Sequence, residues 1–509
     1  MRKTLGLFTL WCAIIFSVGT NISQAERLKA FGLKLAWEKD LEDVSFYALS
    51  GHTPGAHPAF SPDGKYLALG TFKGHLFLFE AGTGKLIWQK RIPEGMVKRV
   101  AFSPDSQVLY YGTQSPEGEV CAVKTASGEK LWCFRTAREL ERGEPPPPGD
   151  IYGIYRLPGI YRLIVLPCED LIVLAIHSWP DAKKQKWRRL SRIYRLSPYG
   201  QVRWAYPKEG PAPLSLIYAD TDEQGQKVAL VSLMPSEGDD LKLAPPPQSF
   251  ILLDGLKGQE LMVYQLTPLK PYFKRVSAWE SVAVSPDGRY GALGVSDGRL
   301  FIFDLRDRQI KTCLSLATPI LIGKLPVSAT LSYGIFDKNG VFYIISGEST
   351  LPFGLPLEVD KPAGPHPAAR TVFAIDPEKG KILWRFASPF KLQGVAVDRT
   401  AKTLAVAVAA FRREDTRVRQ FGVLTFDLKS PGGGYKKLSG YFPTSGNVFF
   451  HLAVSPDGNL VAIVESPWAD QYGRLFGQHR LLVLQKVSES KKLAVRADSY
   501  QNKFVGGQK

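Results

Sequence analysis

Hydrophobic and polar positions alternate along this chain in short bursts, grouped in fours, and the groups recur. From Pro58 the sequence reads PAFSPDGKYLALGTFKGHLFLFEAGTGKLIWQK, and from Val100 it reads VAFSPDSQVLYYGTQSPEGEVCAVKTASGEKLWCF. Each copy predicts four short strands. The first ends at Phe60 or Phe102. Ser61-Pro62-Asp63-Gly64 then forms a tight turn, in which proline presets φ and glycine is free to take a positive one. The second strand runs from Tyr66 to Gly70 and the third from His75 to Glu80; the fourth, beyond a turn closed by Gly84, carries Trp88. Four antiparallel strands repeating at about 40 to 45 residues predict the blades of a β-propeller. Neither copy can bury both faces of its sheet alone, so neighbouring copies must stack.

The same strand-turn-strand pattern recurs at Ser61, Ser103, Pro167, Asp220, Ser285, Asp337, Asp398 and Ser455, which makes eight units, each followed by a second hairpin. The eighth is short of a strand. After Leu484 the sequence turns polar, while Gly32-Leu33-Lys34-Leu35-Ala36-Trp37 near the start reads as a fourth strand with nothing before it. The expected fold is therefore all-β, a single eight-bladed propeller of four-stranded antiparallel blades, its ring closed by the N-terminal strand so that no sheet edge is left open. A seven-bladed ring, with the unit at Pro167 or Asp220 as an insertion, is the alternative.

Loop lengths distinguish the two faces of such a ring. The turns within each hairpin on one face are short. The connections on the other face carry the insertions, at 136–160, 177–191, 233–248, 314–330, 347–369, 409–418 and 465–480. Binding groups concentrate on loops held by a rigid scaffold, so the elaborated face is the expected working surface. One inserted segment holds Lys183, Lys184, Lys186, Trp187, Arg188 and Arg189, and another holds Arg412 and Arg413. Such basic runs suit an anionic glycan, a phosphorylated lipid head group or nucleic acid. Histidines 52, 57, 177, 366, 451 and 479 gather towards the same side, but no pair has the spacing and accompanying carboxylate of a metal site. Asp220-x-Asp222-x-x-Gly225 is read as turn chemistry rather than a calcium loop.

The bulk properties add a compartment. The 509 residues carry 65 Lys and Arg against 48 Asp and Glu, a net charge of +17, with 44% hydrophobic residues. Arg2 and Lys3 precede an apolar run from Leu5 to Val18, and Ser23-Gln24-Ala25 offers a small-x-small cleavage signal. This predicts a signal peptide over residues 1–25, a propeller over 26–487, a polar tail over 488–509, and export to the periplasm or cell surface, with an uncleaved anchor as the alternative. The mature chain is expected to have no membrane span and no nucleic-acid partner. Cys121 and Cys133 lie on paired strands of one unit and could meet as a disulfide in an oxidising compartment, or pack as two small buried residues. There is no CxxC, CxxCH, HExxH or Walker sequence.

Ala374-x-Asp376-x-x-x-Gly380-x-x-x-Trp384 resembles the tryptophan-docking repeat of the quinoprotein-like eight-bladed propellers. Gly84 with Trp88, Gly128 with Trp132, and Gly200 with Trp204 match it in part, and the Ser-Pro-Asp-Gly units resemble WD-type and YVTN-type repeats. The resemblance implies that Trp88, Trp132, Trp204 and Trp384 wedge between adjacent blades, with Asp376 and Gly380 serving that docking. It also implies two functions. A quinone-dependent dehydrogenase would need adjacent cysteines over the cofactor and a cluster of calcium ligands; the sequence has no Cys-Cys pair. The reading preferred on these residues is a non-enzymatic platform with no cofactor and no metal, binding an envelope protein or an anionic glycan or lipid head group. A small ligand in the central channel is a further alternative.

Overall fold

The computed structural model describes residues 29–50, 55–150, 152–181, 186–211, 214–235, 248–272, 276–350, 364–409, 420–470 and 472–487. Almost all of its regular structure is antiparallel sheet. Sheets of four strands follow one another along the chain, each strand pairing with the next. Examples are His57–Phe60, Tyr66–Gly70, His75–Glu80 and Leu86–Arg91 in the first, and Val282–Val284, Tyr290–Gly294, Arg299–Asp304 and Gln309–Ser315 in the fifth. Two departures are local. The second and third units share one sheet through a single pairing of Gly159 with Gln114. The sixth gains a short strand, Ile320–Ile322, on the edge of Leu325–Phe336.

The N-terminal strand Leu33–Asp40 lies on Arg480–Lys486, in a sheet completed by Leu460–Ser466 and Asn447–Val454. Leu33 stands opposite Lys486 and Asp40 opposite Arg480. The first strand of every unit touches the first strand of the next, and Asn447–Val454 touches His57–Phe60.

The turns form as they do because serine and aspartate act together. Ser61 Oγ donates to Asp63 Oδ1 at 2.6 Å and accepts from the Tyr66 amide at 2.9 Å, while Asp63 Oδ1 also accepts from the Lys65 amide. Ser103 with Asp105, Ser285 with Asp287, and Ser455 with Asp457 repeat the hydroxyl-to-carboxylate bond. Gly64 has φ of +74°; at the equivalent place Ser106 adopts +64°.

Between units the tryptophans repeat one contact. Trp37 Nε1 donates to the Ala81 carbonyl, Trp88 to that of Thr125, Trp132 to that of Pro198 and Trp204 to that of Gly255, all at 2.7–2.8 Å. Each indole lies flat against a glycine of the following unit, so that a methyl added at Gly84, Gly128, Gly200 or Gly258 would meet the ring at 2.5–3.1 Å. Gly380 instead faces Thr312, and Trp384 packs on Tyr343 and Phe426. Asp376 Oδ1 accepts the Lys379 amide and shapes the turn before that glycine.

The core is spread along these seams. Leu67, Leu69 and Phe79 of the first unit pack with Val464, Leu481 and Val483 of the eighth, and each such side chain contributes about 1.5–3 kcal/mol by leaving water. A buried arginine, paired within the third unit, clamps it to the fourth. Arg195 Nε donates to Asp170 Oδ2 at 2.8 Å, and its Nη1 donates to the carbonyls of Gly225 and Gly255 at 3.1 and 2.7 Å. Arg195→Met leaves both carbonyls without this donor, and Asp170 with only the exposed Arg203 at 3.3 Å. The expected cost is about 3 kcal/mol, measured as a lower urea midpoint.

Candidate interaction face

Three described insertions meet on the elaborated face. The first, between the N-terminal strand and the first unit, contains a short helix, Ser45–Leu49. The second joins units two and three through a helical turn at Ala137–Leu140 and a 3-10 turn at Gly153–Arg156. The third is a small hairpin of the eighth unit, Trp468–Ala469 with Leu475–Phe476. The helix touches both strands of the hairpin. On its other side Tyr152 Oη donates to the Ser50 carbonyl at 3.0 Å, and Tyr47 stacks edge-on against Phe72, which in turn meets Tyr155. Trp468, buried against Phe421 and Phe476, holds the hairpin down.

This assembly presents apolar side chains to solvent. Phe46 is 60% exposed and Tyr472, at the hairpin tip, is 72% exposed; Leu49, Tyr152 and Leu475 are exposed beside them. Arg474 lies 5.2 Å from the Tyr472 ring and is paired with Asp470, so the tip has both an aromatic and a guanidinium.

The basic run of the third unit lies farther round the face. The expected loop over 177–191 is mostly strand: Leu171–Asp181 and Lys186–Leu196 extend the second and third strands as a long hairpin, paired from Leu171–Leu196 to Asp181–Lys186. The long hairpin explains why this segment reads as an insertion, since its residues project beyond the sheet. Arg188 is exposed, lies over Trp179 at 5.1 Å and is 3.8 Å from Glu141; Arg189 is half-buried. Lys186 and Trp187 belong to the returning strand by their backbone. Lys183, Lys184, Arg412 and Arg413 lie outside the described residues. His177 fastens the base of the hairpin to the second insertion: its ring nitrogens lie 2.7 and 3.0 Å from the carbonyls of Leu140 and Arg156.

Cys121 and Cys133 are directly opposite in the register and joined as a disulfide, while Cys168 and Cys313 are free thiols. With Glu119 they form a group able to hold a metal only in the reduced state. Asp220, unlike the turn-forming Asp222, ties inner strands together: its carboxylate accepts from Arg162 at 3.1 Å and from the Val284 amide at 3.0 Å. Among the described residues no helix is long and apolar enough to cross a membrane.

Titrating groups also hold the first insertion. Glu42 and His479 sit where it meets the eighth unit, with His479 Nδ1 2.9 Å from the Glu42 carbonyl and His75 3.8 Å from the Glu42 carboxylate. Burial pushes the His479 pKa below 6.5, with the Glu42 charge opposing it. Burial would raise Glu42, but hydrogen bonds from Thr71 and the Lys73 amide outweigh it and hold that carboxyl low. Both shifts have one sign: the unfolded chain binds more protons, so stability is full above about pH 6.5 and is lost as pH falls through the folded pKa values. The melting temperature is expected to drop on acidification from pH 7 to 5, with a smaller drop in His479→Asn.

Comparison with known proteins agrees with this architecture. Residues 25–146 match the family model described as outer membrane protein assembly factor BamB. In fold the chain is similar to the Dos1 propeller, at 10% identity over 90% of this chain and 96% of that one with a TM-score of 0.51. It is also similar to the C-terminal WD40 domain of Sif2, at 12% identity over 90% of this chain and 99% of that one with a TM-score of 0.50. No curated protein matches it. The succession of antiparallel sheets and the likeness to these solved structures show a β-propeller fold.

Proposed function

We propose that this protein is an exported eight-bladed propeller that holds a protein partner on its elaborated face. The observation that carries this reading is the exposed apolar group of Phe46, Leu49, Tyr152, Tyr472 and Leu475, brought together from three insertions separated by about a hundred residues or more of chain. Contiguous apolar surface on a rigid scaffold is characteristic of a docking site, and aromatic residues dominate the energetics of such sites. The long basic hairpin around Arg188 supplies a charged border. Eight blades are supported by the succession of inner-strand contacts, and closure by the N-terminal strand is supported by its pairing with Arg480–Lys486.

The match to a model described as an outer membrane protein assembly factor supports an envelope partner and an assembly role. The apolar run and small-x-small signal in residues 1–25 support export; those residues lie outside the described part. A disulfide within the second unit suits an oxidising compartment.

The test compares capture from an envelope extract by the native protein, by Phe46→Ser/Tyr472→Ser, and by Lys65→Ser/Gln107→Ser on the opposite, short-turn face. Specific partners lost only with the Phe46/Tyr472 variant support the proposal. Equal capture by all three proteins contradicts it.

A further inference from the structure

The axis of the ring is lined differently from its seams. Seams are mostly apolar, but the inner strands turn polar groups inward, and they do so through breaks in register. The pairing of first and second strands shifts at Lys98, at Tyr161, at Tyr218, at Tyr333 and at Gln393. A bulge rotates one side chain out of the alternation and re-aims it. Tyr218, Glu280 and Tyr333 also hold φ of +52°, +44° and +54°, a conformation that side-chain-bearing residues adopt only where the surroundings impose it. Repetition of these irregularities in units separated by long stretches of chain marks the channel as a constructed site.

Its charges are unevenly matched. Lys98 is only 8% exposed, with Nζ 2.8 Å from Gln114 Oε1 and 3.3 Å above the centre of the Tyr161 ring. The neighbouring Arg99 donates to the Tyr161 and Lys98 carbonyls and lies 2.6 Å from His57 Nε2. All these partners are neutral, His57 included when it accepts from the guanidinium. No described carboxylate comes within 4.0 Å of either cation. Glu280 is the acid whose field reaches both, and it also acts on the neighbouring Tyr218 and Tyr333. Burial pulls both cations down, Arg99 to about 10. Two adjacent desolvated cations with neutral partners and a distant acid leave an electrostatic deficit that an anion would fill. Hydroxyl and indole donors face the same space: Trp279 Nε1 donates to Tyr333 Oη at 3.2 Å, and Trp279 is half exposed.

We propose that the central channel binds a small oxyanion, a carboxylate or a phosphate, between Lys98 and Arg99, with the channel tyrosines as supporting donors. Lys98 and Arg99 are not among the exposed apolar side chains of the elaborated face, so a binding partner on that face and an anion on the axis can be tested apart by different substitutions.

The experiment is calorimetric titration of the full chain at low ionic strength with inorganic phosphate in one arm and acetate in the other, repeated with Lys98→Met and Glu280→Gln. Methionine keeps an apolar stem against Tyr161 and removes the charge. Saturable binding of one probe near unit stoichiometry is expected, weakened at least about tenfold by Lys98→Met and tightened by Glu280→Gln. The arm that responds identifies the oxyanion. A gain of affinity in Glu280→Gln cannot come from misfolding, so it keeps the proposal open to test should Lys98→Met fail to fold. Absence of binding to both probes up to about 10 mM, or unchanged affinity in a folded Lys98→Met and in Glu280→Gln, overturns it.

Discussion

Replacing Trp204 with alanine is expected to lower stability by about 3–5 kcal/mol, the range for removing a large aromatic from a packed site. Two losses combine. The indole seals the seam between the third and fourth units against Gly258, where the backbone has φ of +70° and an added methyl would stand 2.7 Å from the ring. Its Nε1 also satisfies the Gly255 carbonyl, which Arg195 shares. Trp204→Phe separates the terms, since it keeps most of the packing and removes the donor. It should cost roughly 1–2 kcal/mol, because Arg195 remains on that carbonyl. Gly258→Val attacks the same contact from the other unit and should approach the alanine variant. Urea unfolding of the three variants checks the order; a Trp204→Ala midpoint close to native would mean that the seam does not depend on this wedge.

The second large effect concerns the N-terminal strand. Deleting residues 29–40 removes Leu33 and Trp37 from their packing and leaves Arg480–Lys486 as an uncovered edge with unpaired backbone groups. Trp37 alone accounts for about 3–5 kcal/mol, so the shortened chain should lose its cooperative unfolding transition or aggregate. The register supplies the rescue. Leu33 lies opposite Lys486, so a short turn can join them, as turns join the third and fourth strands elsewhere. A permuted chain that begins at Leu41 and carries Leu33–Asp40 after Lys486 should recover most of the native stability. Failure of that permuted chain to fold would count against closure by this strand.

Much of the scaffold could be read from residue types because its chemistry is local. Ser61 and Asp63 make their turn within six residues, and Gly84 and Trp88 belong to a docking contact that recurs along the chain, Gly84 receiving Trp37 and Trp88 lying on Gly128. Leu33 to Trp37 could be recognised as a displaced fourth strand by likeness to the segment ending at Trp88. The long hairpin of Leu171–Asp181 with Lys186–Leu196 was harder to see: its charged residues resemble a loop, and only cross-strand pairing shows that Arg188, Arg189 and Arg192 stand on a strand. Neither the apolar group on the elaborated face nor the channel could be found by local pattern. Phe46, Tyr152 and Tyr472 come from segments far apart in the chain, and Lys98, Tyr218 and Glu280 are set by bulges and positive φ values that depend on a neighbouring strand's register. A trace of the channel did exist. Lys98-Arg99 and Tyr161-Arg162 interrupt inner strands, and Trp279-Glu280 stand just before one, where apolar residues would be expected.

The most direct measurement of the central claim is site-specific photo-crosslinking in intact cells, with the reactive side chain placed in turn at Phe46, Tyr152 and Tyr472, and at Lys65 and Gln107 on the opposite face. A discrete crosslinked product to a common envelope protein is expected from the first three positions and none from the other two. Crosslinks confined to Lys65 and Gln107, or none from Phe46, Tyr152 and Tyr472, would contradict the assignment of the elaborated face as the docking surface.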